Sequence, residues 1–142
     1  MSRLSDQRIA FVDRVLELVD TRVAHRGRSR HAVDCVGLVI VALSELGIDV
    51  DEQATTYGKI PDADLLSGCL ARYAFPVGYD DRMPGDLLQL WHGERARHLA
   101  VLTSRRGESN VVVVADPAAK RVLLTQRSRE RVACVWRLRW QA

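Results

Sequence analysis

The sequence predicts an α+β domain, on three observations. Helix-period apolar spacing is confined to the first half of the chain, and short Val- and Leu-rich runs separated by turn residues fill the second. The connections between those runs are too short for parallel crossovers, so the strands are expected to form a small antiparallel sheet or half-barrel, with the helices packed on it. The 142 residues match about one domain of roughly 100–200 residues, read as a single unit 1–142, and 47% hydrophobic residues suffice for one core.

From Ser5, an N-cap with Asp6 in the first turn, apolar residues recur at Ile9, Val12, Val15, Leu16 and Val19, which is one face of a helix. The basic stretch TRVAHRGRSRHAV has neither period and reads as a loop. Residues 34–46 are apolar around nearly the whole helical circumference and stop at Gly47, as a buried central helix does. A third helix is predicted over 61–73, opening on Pro61 and Asp62 and placing Leu65, Leu66, Cys69, Leu70 and Tyr73 on one side. Beyond Pro76, strands are predicted at 87–91, 96–103, 110–115, 122–126 and 132–140, divided by turns such as HGER, SRRGES and DPAAK.

Composition narrows the function classes. With 27% charged and 6% aromatic residues, the chain resembles neither a disordered tail nor a fibrous repeat. The longest apolar run, Val36 to Leu43, falls far short of the roughly 18 residues of a membrane span, so none is expected. The N-terminal sequence alternates charge with apolar residues and builds no signal-peptide core, so synthesis in the cytoplasm is expected. The three cysteines, Cys35, Cys69 and Cys134, form no CxxC pair, which argues against zinc and against a disulfide framework. Neither a metal nor any other cofactor is expected.

A net charge of +3 conceals segregation, with +3 over residues 1–33, −8 over 34–94 and +8 over 95–142. Nineteen of the 21 basic residues are arginine, suited to bidentate contacts with carboxylates or phosphates. No zinc finger, aromatic RNA-binding pattern or recognition helix accompanies the basic segment, so a solvated strand face or a protein docking surface is the expectation, and nucleic acid is not.

Cys35 is the candidate nucleophile, because it follows a polar loop and opens a buried helix whose amides and dipole favour a thiolate. The same helix start, Asp34 and Cys35, offers backbone N–H groups to an oxyanion. Gly37, one turn in, permits close approach of another backbone or of substrate. Of His25, His31, His92 and His98, the last is best placed as a base, at the head of the apolar strand RHLAVL.

Two stretches then resemble a known family. Asp34-Cys35-Val36-Gly37-Leu38-Val39 resembles the DCxGLV nucleophile signature of the NlpC/P60 cysteine peptidase superfamily. Pro84-Gly85-Asp86-Leu87-Leu88, followed by Arg97-His98-Leu99-Ala100-Val101-Leu102, is similar to its second signature, which carries the catalytic histidine. The loop HRGRSRHAVDC and the final VACVWRLRW further resemble the phage-type branch, the cell-wall peptidases encoded among tail genes of phages and gene transfer agents.

The resemblance implies a papain-like α+β fold. It also implies attack by the Cys35 thiolate on a stem-peptide amide of peptidoglycan, with His98 as base and then acid, through a thioester that water hydrolyses. The expected partners are anionic stem peptides, met by Arg26, Arg28, Arg30 or Arg97, and tail-tip or hub proteins; the expected location is a virion tail tip. Asp34 is expected to cap the helix. The alternative is a structural tail-tip protein with the same fold and little or no hydrolysis. The sequence departs from the family pattern at two places. Val23 stands where a tyrosine is common, and the third catalytic position falls at Val114 or its neighbours, with Asp116 the nearest polar substitute and Asn110 the next.

Overall fold

The computed structural model describes residues 3–50 and 63–140. Helix α1, Arg3–Glu17, begins two residues before the expected cap and buries Phe11 and Val15 completely, with Leu18 just beyond its end at 1% exposure. Trp140 stacks against Phe11 with ring centroids 5.3 Å apart, so the last described residue holds the first helix in place.

The basic stretch expected as a loop contains three two-residue strands: β1 at Arg22–Val23, β2 at Arg28–Ser29 and β3 at Ala32–Val33. β1 pairs parallel with β3, and β2 pairs antiparallel with β3. Strands this short carry no period that a sequence pattern can register. Helix α2, Cys35–Glu45, follows with Asp34 as N-cap, and Leu46 leads into Gly47 at φ +80°, the left-handed end that glycine tolerates. Leu38 and Ala42 are fully buried.

Helix α3 is described over Ala63–Tyr73; the predicted opening at Pro61 and Asp62 lies outside the described residues, as do the side chains of Leu65, Leu66 and Cys69. Strand β4, Ala74–Val77, then precedes a single 3-10 turn at Tyr79–Asp81. The five predicted strands are β5, Leu87–His92; β6, Arg95–Arg106; β7, Ser109–Asp116; β8, Arg121–Arg127; and β9, Val132–Leu138. Among the described residues they join one sheet in the order β2-β3-β1-β8-β7-β6-β5-β9-β4. It is larger than the small sheet expected because β1 to β4 extend both edges.

Strand alternation divides the sheet into two buried faces. Leu87, Leu99, Val101, Val113, Ala115 and Trp136 pack with α1 and α2. Leu88, Leu90, Ala100, Leu102, Val112 and Val114 form a second cluster, against which Val77 and Tyr79 pack.

Polar staples hold this frame. Asp86, fully buried, receives Nε and Nη2 of Arg137 at 3.0 and 2.9 Å and the Met83 N–H at 2.8 Å. Trp136 Nε1 donates to Gln89 Oε1 at 2.9 Å, and Gln89 Nε2 donates to Ser67 Oγ at 3.1 Å, tying β9, β5 and α3 together. Arg82, 1% exposed, donates to Asn110 and to the carbonyls of Tyr79 and Gly107 while its guanidinium lies over the Tyr79 ring.

Candidate active site

Cys35 is the first residue of α2 and is 5% exposed. Its helix start is built by Asp34, whose Oδ1 accepts the Gly37 N–H at 2.7 Å and Arg28 Nη1 at 2.7 Å, while Oδ2 accepts the Arg26 N–H at 3.0 Å. Asp34 thus caps the helix and anchors the basic segment across it. Gly37 is required here: a Cβ on it would collide with the Gly27 carbonyl and sit 2.9 Å from Arg28 Nη1. The close approach expected of Gly37 is with backbone of the preceding segment.

A helix N-terminus alone would lower the thiol pKa, but burial outweighs it. Desolvation first, and the neighbouring Asp34 charge second, push the Cys35 thiol up to about 12, against smaller opposing contributions from the backbones of Leu99 and Val36 and from Arg28. Both act against the thiolate that the helix start was expected to favour.

Strand alternation sets His98 on the face of β6 away from the one that packs with Cys35. On β6 the residue at the thiol is Leu99, which shares the helix-facing cluster with Cys35. His98 pairs across β5 with Leu90 and shares its face with Ala100 and Leu102, on the opposite side of the sheet. Both faces of RHLAVL are apolar, so the sequence could not reveal which one α2 covers. Burial first, then the charges of His92 and Arg127, lower the imidazole to about 4, with Asp116 opposing them. It is a neutral imidazole at neutral pH.

Asp116 ends β7, and the pairing of Ala100 with Val114, continued two residues, sets it across from His98. Its Oδ1 accepts the N–H groups of Ala118 and Ala119 at 2.8 and 3.1 Å, making it a turn residue as well as the cross-strand neighbour of the histidine. Val114 is fully buried in the second cluster, and Asn110 is committed to Arg82, the Tyr79 hydroxyl and the Arg127 carbonyl. Among the basic residues offered for substrate contact, Arg28 pairs with Asp34, and Arg30 with Glu45 and Glu17. The Arg97 side chain lies outside the described residues. Among the described residues no cluster of His, Cys, Asp and Glu could hold a metal, and no helix is long and apolar enough to cross a membrane.

The residues that sequence reasoning missed are the supporting ones. Arg137, in VWRLRW, is the partner of Asp86 in the PGD stretch, a contact 51 residues apart that no local pattern announces. Arg28 is the partner of Asp34, six residues away, visible in the sequence only as one basic residue among several.

Neither the family models nor the curated proteins searched include a match to this chain. Solved structures do match it. The P60 domain of an antigen from M. avium subspecies paratuberculosis superposes with a TM-score of 0.64 at 13% identity, covering 96% of this chain and 97% of that one. NlpC1 from Trichomonas vaginalis gives 0.66 at 14% identity, and this chain, matched over 96% of its length, spans 45% of it. The peptidoglycan hydrolase RipB from Mycobacterium tuberculosis gives 0.64 at 15% identity, over 99% of this chain and 70% of that one. The chain therefore has the fold of NlpC/P60 domains. Its structural neighbours include peptidoglycan hydrolases, and it carries a cysteine at the start of the central helix of that fold.

Proposed function

We propose that the protein is a cysteine peptidase of cell-wall peptidoglycan, acting on stem-peptide amide bonds from the tail tip of a phage or phage-like particle. The observation that carries the hydrolytic part is Cys35 as the first residue of an Asp34-capped buried helix, in a fold shared with peptidoglycan hydrolases. In this reading Cys35 Sγ attacks the amide carbonyl, its proton passes through His98 to the leaving amine, and water cleaves the thioester. For His98 to serve, the head of β6 must turn over. The register irregularity between Leu90 and Trp91 lies next to His98, and a slip of one residue there exchanges the two faces of the strand. The tail association is supported by the segregated charge, an acidic middle beside a basic final third.

A second reading is favoured by the same site: a structural tail protein that keeps the fold without turnover. The observation behind it is the pair of neutral groups, Cys35 and His98, on opposite faces of the sheet. Incubation with purified peptidoglycan separates the two. Release of new amines by the parent and not by Cys35→Ala supports the peptidase; no release by either supports the structural protein.

A further inference from the structure

The residue that caps α2 is the one that most directly opposes its nucleophile. A carboxylate at an N-cap satisfies an orphan amide and complements the helix dipole, yet Asp34 adjoins Cys35 and disfavours a second negative charge there. The contact that offsets this is Arg28. Its Nη1 lies 2.7 Å from Asp34 Oδ1 and 2.9 Å from the Gly27 carbonyl oxygen, and the pair is largely shielded, with side chains 25% and 13% exposed. The β2–β3 pairing holds this arginine over the helix start, and the Gly27–Gly37 approach lets the segment sit that low.

We propose that Arg28 is a positioning residue for Cys35: paired with Asp34, it offsets part of the carboxylate charge beside the sulfur, so the cap is kept at a smaller cost to formation of the thiolate. The inference rests on the reading of Cys35 as the nucleophile and adds the electrostatic control of that site. Among the described residues, the charges that bear on the thiol are Asp34 from the cap and Arg28 from β2; β6 contributes the Leu99 backbone and α2 that of Val36. Arg30, two residues on, is directed instead to Glu17 and Glu45 at the surface.

The test is the rate of Cys35 alkylation by iodoacetamide as a function of pH, followed by mass spectrometry on the folded full chain. Arg28→Met is expected to slow labelling about tenfold at a given alkaline pH, the effect of one pKa unit, with Arg28→Lys recovering most of the parent rate. Asp34→Asn keeps a good N-cap without the charge and is expected to speed labelling by more than Arg28→Met slows it, since Asp34 bears on the thiol more strongly than Arg28. In the double variant, Arg28→Met with Asp34→Asn, the slowing should disappear. A purely structural role predicts the reverse for Arg28→Met, faster labelling as the segment lifts from the helix. That result, or a double variant as slow as Arg28→Met, overturns the proposal. No peptidoglycan enters the measurement, so the expected shifts in a protein that releases no amines would refute the peptidase and leave the role of Arg28 intact. Unshifted profiles in an active protein would refute only Arg28.

Discussion

The carbonyl oxygen of Gly27 rests against the α-carbon of Gly37, in the space that a side chain at 37 would fill. That contact seats the basic segment 24–33 on the start of α2, with Arg28 and Asp34 closing it. Gly37→Ala is therefore expected to destabilise the fold by about 1–3 kcal/mol, the usual cost of overpacking, and to expose the Cys35 thiol. Denaturant unfolding together with the thiol labelling rate checks this; an unchanged midpoint and an unchanged rate would show that the segment yields freely.

Hydrolysis is expected to depend wholly on Cys35. Cys35→Ala should lower amine release from peptidoglycan by orders of magnitude with the fold intact, and His98→Ala should do so as well once β6 has turned. Loss in the first variant with full activity in the second would remove His98 from the chemistry and leave it as the buried histidine that the resting structure displays.

The His98 environment predicts an acid-labile fold. Its pKa is lowered from 6.5 to about 4, so the folded state binds that proton less tightly than the unfolded chain. The contribution is fully present above pH 6.5 and is lost as pH falls through about 4, by an amount on the order of a few kcal/mol. Urea midpoints at about pH 7 and about pH 4.5 should differ more for the parent than for His98→Gln, which has no such proton to bind. Equal pH dependence in both would place the acid sensitivity elsewhere.

Removing Arg137 leaves the fully buried carboxylate of Asp86, among the described residues, with the Met83 N–H as its donor. Arg137→Met is expected to cost about 3–5 kcal/mol, as broken buried pairs do, and the Asp86→Asn change added to it should recover part of that loss. Thermal unfolding of the two variants is the measurement.

If the segregated charge docks the protein on tail components, assembly should weaken as salt rises, because exposed attraction is screened within about 8 Å at physiological ionic strength. Co-sedimentation with purified tails over a salt series tests it. Binding that is indifferent to salt would point to an apolar contact, and no binding at any salt would argue for a free enzyme.

What the sequence determined by itself was whatever depends on neighbours along the chain. The apolar circumference of residues 34–46 could belong only to a buried helix, the Asp34 and Gly47 flanks mark its two ends, and alternating Val and Leu with turns of four to six residues give β5 to β9. The likeness of the Cys35 and Pro84–Leu102 stretches to NlpC/P60 signatures led to the fold that the solved neighbours share. Tertiary structure alone decided the rest. Burial, more than any neighbouring charge, pushes the Cys35 thiol up, which no count of nearby charges along the chain could establish. The facing of His98 was decided by which side of a sheet, apolar on both faces, the α2 helix covers; with a side-chain period of two, that choice moves every residue of β6 at once.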